Sequence, residues 1–253
     1  HELNYTSHEA AFYGKVNEDE YGQAFIQDLE NANIAYKGVI KQNDLPTGCC
    51  NILVSPDGER TMATHIGIGS QLHPDELTED SLQGIDHIYM ESYLWDHDLT
   101  KQTLKKVGKI AKTMNIETSL SLSDPFCVDR HRDELKEFIE EYVDLVFCNF
   151  DEAKMFAQSE TMADVSSFFQ PFGKKIAMTA SAEGAYYFHG ETVAHQPAQK
   201  IEQVVDTTGA GDNFAAGFLD QYLSDKTIDE ALAQGNSRAG EVIQQLGPRI
   251  KRH

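Results

Sequence analysis

From Val204 to Tyr222 the chain reads VVDTTGAGDNFAAGFLDQY, and here residue types and spacing come closest to chemistry. Val204 and Val205 suggest a strand that leads into Asp206-Thr207-Thr208 and then Gly209-Ala210-Gly211. A helix follows, with Phe214, Phe218 and Tyr222 at fourfold spacing as a core stripe. A strand, a small-residue turn and a helix N-terminus together make an anion site. First-turn N–H groups have no intrahelical acceptor, and the aligned peptide dipoles put roughly half a positive charge there. Glycines let a phosphate approach that backbone. Asp212 adds a carboxylate that can take a proton from a hydroxyl attacking the bound phosphoryl group. Because that transition state is loose, the base must orient the nucleophile more than it must be strong. A structural alternative stays open, with Asp212 and Asn213 as helix-capping residues around a tight turn.

Other constellations carry less. No GxxxxGK[ST] string occurs, which argues against a P-loop. GxGxxG fails because Phe214 stands at the third glycine position, and too few residues follow Asp212 for a further dinucleotide-binding half. The histidines show no HExxH or paired zinc spacing. Asp96-His97-Asp98 is expected to cap a helix and match its dipole rather than bind metal, and Arg60 and Arg130 to form surface ion pairs. Acidic runs at 17–20 and 75–80 read as solvated helix ends and loops.

The elements that must position these residues alternate between apolar β-rich runs and amphipathic segments, the rhythm of βα units. Strands are expected at 11–16, 87–93, 117–122, 144–148 and 175–179, with a hairpin of 185–189 and 192–195. Helices are expected at 21–32, 99–114, 133–142 and 152–157. The nearly continuous apolar strands fit a parallel sheet covered on both faces. Residues 47–65 break the rhythm: two extended runs flank Ser55-Pro56-Asp57-Gly58, the pattern of an inserted hairpin that serves either as a lid or as a sheet edge.

At 253 residues the chain suits one large α/β domain. Its formal charge of −20 repels nucleic acid and anionic membranes, so neither is expected as a partner, and an anionic ligand must be held by local amides or a metal. Cys49, Cys50, Cys127 and Cys148 show neither CxxC spacing nor disulfide density and read as reduced, buried thiols. With no signal-like N-terminus and no apolar run long enough to span a bilayer, a cytoplasmic location is expected.

Asp206-Thr207-Thr208-Gly209-Ala210-Gly211-Asp212 resembles the DTxGAGD signature of the ribokinase/PfkB carbohydrate kinases. Asn149-Phe150-Asp151-Glu152 is similar to that family's NxxE motif, and Thr179-Ala180-Ser181-Ala182-Glu183-Gly184 to its T-x-G-x-x-G nucleotide loop, with Ser181 in place of the usual glycine. Residues 235–239 and 242–247 resemble its closing helices near the adenine. Residues 12–16, 57–62, 91–96 and 123–128 resemble the adenosine-kinase-like branch, so the likeness runs from about 11 to 247.

The resemblance implies a Rossmann-like three-layer α/β/α ribokinase-like domain over 1–253, with a small β-sheet lid formed mainly by 36–66. It implies transfer of the ATP γ-phosphoryl group to an alcohol of a sugar, with Asp212 as base and the Gly209, Ala210 and Gly211 amides as anion hole. Asn149 and Glu152 would hold Mg2+ through water, with a helix-start cap pair as the structural alternative for these two, and Thr179, Ser181, Gly184, Thr207 and Asn236 would contact the nucleotide. The alternatives are a nucleoside kinase of the same fold and a non-catalytic nucleotide-binding regulator. Activation by K+ is left open, as is the choice between a monomer and a homodimer formed through the lid. The family's first strand, with its acceptor-binding Asp, and its Gly-Gly-x-x-x-Asn segment are not present, so an N-terminal part of the family fold is expected to be absent; His1 to Tyr5 reads as a piece from farther upstream.

Overall fold

Backbone N–H groups of Ala35, Lys37, Val39 and Lys41 donate to the carbonyls of Ala10, Phe12, Gly14 and Val16 at 2.8–3.2 Å. This parallel ladder begins the computed structural model, which describes residues 8–55 and 60–250. Two compact units result: one joins the segment ending at Leu72 to that beginning at Ala198, and the other is His73–Pro197.

In the first unit β1 (Ala11–Phe12) and β2 (Lys15–Val16) pair with β3 (Ala35–Tyr36) and β4 (Val39–Ile40) across α1 (Glu20–Asn31). The expected strand 11–16 is therefore two halves of one ladder. They meet at a glycine contact where a Cβ on Gly38 would lie 2.1 Å from the Gly14 carbonyl oxygen. Asp19 caps α1 by accepting from the Gly22 N–H, and its second oxygen accepts from the Thr47 N–H at 2.8 Å, which pins the root of the hairpin that follows. That hairpin is β5 (Cys49–Val54) against β6 (Arg60–His65), in register from Cys49–His65 to Val54–Arg60. Its expected turn at Pro56-Asp57-Gly58 lies outside the described residues. Cys127 and Cys148 are buried as expected, but Cys49 and Cys50 are exposed, because a two-stranded ribbon offers little to cover its faces.

The second unit is a six-stranded sheet. β7 (His87–Glu91), β8 (Glu117–Ser121), β9 (Leu145–Asn149) and β10 (Lys175–Thr179) run parallel in sequence order. The antiparallel hairpin of β11 (Ala185–His189) and β12 (Thr192–Gln196) extends the sheet. Helices α2 (Asp98–Met114), α3 (Pro125–Tyr142) and α4 (Phe150–Ala157) make the crossovers, and each packs on the next. α3 starts well before the expected Asp133 because Asp124 accepts from the Phe126 and Cys127 N–H groups and Pro125 opens the first turn. α5 (Met162–Phe169) was not expected; it packs on α4, and its Phe168 and Phe169 join Phe156 and Phe188 in an aromatic core.

The chain then returns to the first unit. Val204 and Val205 are not a strand: the Val205 and Asp206 N–H groups both donate to the Ile243 carbonyl, at 2.8 and 3.3 Å, rather than to a sheet neighbour. α6 (Ala210–Tyr222) packs closely on α7 (Ile228–Val242), which a Thr227–Glu230 capping box opens. The expected helix at 235–239 is the middle of α7, whereas 242–247 is mostly turns after that helix ends. A Cβ on Gly217 would lie 2.7 Å from the Gln234 carbonyl oxygen, so the α6–α7 contact needs glycine there. Gly217→Ala gains up to about 1 kcal/mol of helix propensity but forces the helices apart. A net loss of about 1–2 kcal/mol is expected by analogy with overpacked cores, seen as a lower thermal midpoint.

Candidate active site

Asp206 is 2 % exposed, and its carboxylate accepts from the Thr208 N–H at 2.9 Å, the Thr208 hydroxyl at 2.6 Å and the Gly247 N–H at 2.9 Å. These hydrogen-bond donors offset part of the cost of burying the carboxylate. Gly209 follows as the N-cap of α6 at φ +78°, and a Cβ on it would lie 2.7 Å from Pro248 Cβ. Glycine is thus required twice over, by the left-handed backbone and by the Pro248 contact. Asn213, 3 % exposed, donates through Nδ2 to the Gly209 carbonyl at 2.8 Å and to the Pro248 carbonyl at 2.9 Å.

The Ala210 N–H donates to the Thr207 carbonyl at 3.2 Å, so of the three amides expected in the anion hole this one already closes the turn. The Gly209 and Gly211 N–H groups have no partner among the described residues, as first-turn donors do. Among the described residues, no atom beyond its chain neighbours and its own helix backbone lies within 4 Å of a Cβ built on Gly211. Asp212 is exposed in that first turn. The capping alternative is not realised: Gly209 holds the N-cap position with no side-chain cap bond, and Asn213 ties carbonyls instead.

In the second unit the expected nucleotide residues gather where parallel strands end. Asn149 closes β9 and Thr179 closes β10, and the two are register partners. Asn149 caps α4: its Oδ1 accepts from the Glu152 N–H at 2.8 Å, while the Glu152 carboxylate accepts from the Asn149 N–H at 2.9 Å and from Nδ2 at 2.7 Å. Glu152 is only 5 % exposed. Burial pushes its carboxyl up to about 7, against the Asn149 hydrogen bond, and the nearby Asp124 and Asp151 charges push the same way as burial. Beyond Thr179, the Gly184 carbonyl accepts from the Ala180 N–H at 2.7 Å and its N–H donates to Ser181 O at 3.1 Å. Ser181 sits at φ +48°, the left-handed conformation that explains a glycine at this place in related loops. Gly184, at φ 98° and ψ −137°, occupies glycine territory. Asn236 is half-buried in α7, and Thr207 is half-buried in the turn.

Several residues took roles that their types alone did not disclose. Asp206 and the Gly247-Pro248 segment brace the turn from a distance in sequence that no local pattern bridges. Asp96 caps nothing; the N-cap of α2 is His97, and Asp96 holds Arg130 in a two-bond pair at 3.0 and 2.7 Å with His131 at 2.8 Å. Arg130 is thus the surface ion pair expected, while Arg60 lies opposite Val54 in the backbone register and its side chain, with the ion pair expected of it, is outside what the structure describes.

No group of three or more His, Cys, Asp or Glu among the described residues can cage a metal. A buried carboxylate beside an exposed amide at a strand end does fit a Mg2+ ion that keeps most of its own water.

Residues 3–252 match the pfkB family carbohydrate kinases, and the chain belongs to that family. It is 36% identical to the adenosine kinase from Sinorhizobium meliloti, whose crystal structure superimposes with a TM-score of 0.94 over 98% of this chain and 76% of that one. A probable sugar kinase protein from Rhizobium etli CFN 42 is 35% identical, with a TM-score of 0.93 over 98% of this chain and 76% of its own. Adenosine kinase 2 of Arabidopsis thaliana is 27% identical over 94% of this chain and 72% of its own length. The fold is therefore ribokinase-like α/β, and the chain is a phosphotransferase with an alcohol group as acceptor. No helix among the described residues is long and apolar enough to cross a membrane.

Glu152 supplies a pH test. Its folded value lies above the ordinary 4.5, so its contribution to stability is present below pH 4.5 and is lost as pH rises through about 7. The difference corresponds to about 3 kcal/mol. Between pH 4.5 and 8, unfolding free energies of Glu152→Gln and wild type should shift by that amount in favour of the variant; parallel profiles would contradict it. Separately, Ser181→Gly relieves the left-handed backbone and should raise stability by about 0.5–1 kcal/mol in chemical denaturation.

Proposed function

We propose that this kinase, acting as one domain with residues 36–66 as its acceptor lid, transfers the γ-phosphoryl group of ATP to a hydroxyl of a sugar, with Asp212 as the base. What carries this reading is an exposed carboxylate in the same helical turn as two open amides, Gly209 and Gly211. Asp212 orients the acceptor hydroxyl and takes its proton as the bond to phosphorus forms. The Gly209 and Gly211 N–H groups donate to phosphoryl oxygens, fixed in place before substrate arrives, so little reorganisation is needed. Thr207 shapes the turn through its carbonyl. Thr179, Ser181, Gly184 and Asn236 line the nucleotide.

Mg2+ would be held through water by Asn149 and Glu152, and when bound it neutralises charge on the nucleotide phosphates. Glu152 is then the carboxylate whose ionisation a nearby cation favours against its burial.

A second acceptor class, the ribose of a nucleoside, is favoured by the likeness to the Sinorhizobium adenosine kinase, the higher of the two structural identities reported above. The two separate in an ADP-release assay with Mg-ATP over adenosine, ribose and fructose-like acceptors. Turnover of adenosine at least tenfold above the free sugars would settle the class as nucleoside, and the reverse order as sugar. Asp212→Asn should lower kcat by about 10²–10⁴ while leaving ATP affinity near wild type, the range general bases contribute. Unchanged turnover in that variant would remove Asp212 from the chemistry. ATP binding by the wild type without turnover of any acceptor would favour a nucleotide-binding regulator.

A further inference from the structure

Asn213 stands in the first turn of α6, next to Asp212 and before Phe214 of the core stripe. It is 97 % buried by complement of its 3 % exposure, where an apolar residue would be the ordinary occupant. Its Nδ2 hydrogens reach the Gly209 carbonyl at 2.8 Å and the Pro248 carbonyl at 2.9 Å. The Gly209 carbonyl also accepts from the Asn213 N–H at 2.9 Å, so one residue holds that oxygen twice. Its Oδ1 is buried without a partner among the described residues. Two carbonyl acceptors fix the amide orientation, because a flipped side chain would set oxygen against oxygen.

Stability alone does not account for this residue. An alanine here would remove an unsatisfied buried acceptor and suit the helix better, and the Gly209 carbonyl would keep its backbone donor. What alanine cannot do is join Gly209 to Pro248. That link sets the peptide plane between Gly209 and Ala210 and backs the left-handed Gly209 against the Pro248 ring. That peptide carries the Ala210 N–H, which closes the turn on the Thr207 carbonyl, and it lies between the two peptides that carry the Gly209 and Gly211 N–H groups, so fixing it limits how those neighbours can turn.

We infer that Asn213 is a positioning residue for phosphoryl transfer, coupling the distant Gly247-Pro248 segment to the amide-bearing turn. This rests on the phosphotransfer role given above to Gly209, Gly211 and Asp212. Asn213 touches neither nucleotide nor acceptor; it acts through Gly209.

The test compares wild type, Asn213→Ala, Asn213→Ser and Asp212→Asn, by steady-state kinetics and by hydrogen exchange. Asn213→Ala should lower kcat at least tenfold, change KM for ATP and acceptor by no more than about threefold, and keep the thermal midpoint within a few degrees of wild type. Amide exchange should quicken at least tenfold in peptides covering both 206–211 and 245–250, with α7 unchanged. Asn213→Ser, whose hydroxyl is too short to reach both carbonyls, should behave the same way. Wild-type kcat in Asn213→Ala beside an inactive Asp212→Asn would overturn the inference and leave the kinase reading intact. Should wild type phosphorylate no acceptor, that reading fails, and exchange alone decides whether Asn213 couples the two segments. Exchange confined to one segment, or unfolding of both Asn213 variants, would also overturn it.

Discussion

The turn that opens α6 depends on a buried carboxylate that has no part in the phosphate contacts proposed for it. Asp206 is buried and saturated by the Thr208 N–H, the Thr208 hydroxyl and the Gly247 N–H, and through them it folds the chain back sharply enough for Gly209 to enter α6 left-handed. A buried carboxylate is costly unless its oxygens are satisfied, so these donors and the turn they build form together. The result is a backbone held rigid from behind while its open donors face outward. In a chain of charge −20 the proposed function asks more of this arrangement than rigidity. The long-range field opposes an anion, so under that proposal attraction must come from dipoles at contact distance that lose nothing by rearranging.

The second unit answers a related problem by the opposite means. Parallel strands β9 and β10 end in register at Asn149 and Thr179, which puts the start of α4 beside the loop leading into β11. Glu152 enters the core there, and its oxygens are taken up by Asn149. Asp206 gathers three donors from two segments, whereas Glu152 gathers two from one residue and burial raises its carboxyl to about 7. A carboxylate poised at that value changes charge readily when a cation approaches. One acid is therefore fixed for structure, and the other stays responsive.

How much of this could be read from the sequence follows from how local each constraint is. The glycine turn was legible because the seven-residue string from Asp206 to Asp212 announces it, although the left-handed helix entry at Gly209 shows only in the folded backbone. The Asn149–Glu152 box was legible for the same reason, though its two uses, cap and water-mediated metal site, share one spacing. α3 was placed late although Asp124-Pro125 is a cap followed by a first-turn proline; the charged run after it masked the apolar face of Cys127, Val128, Leu135 and Ile139. α5 carries aromatic residues that prefer strands in isolation and become helical only by packing on Phe156 and Phe188. The exposure of Cys49 and Cys50 depends on whether a third layer covers the ribbon, which no strand pattern encodes. The brace from Gly247 and Pro248 joins residues 35 and 41 positions away, and only the folded chain brings them together.

The two glycines of the turn separate structure from chemistry. Gly209 is explained by its positive φ and by Pro248, so its lack of a side chain says nothing about a ligand. Gly211 has neither excuse. It lies inside α6, its φ is not among the positive ones, and a Cβ on it would meet no atom within 4 Å. Glycine in a helix costs about 0.5–1 kcal/mol relative to alanine, and folding gains nothing in return at this position. What a methyl group on Gly211 would obstruct is the approach of a ligand to an N–H that has no partner among the described residues. A glycine that the described fold does not need thus supports the anion contact proposed for this turn, beside the carboxylate of Asp212.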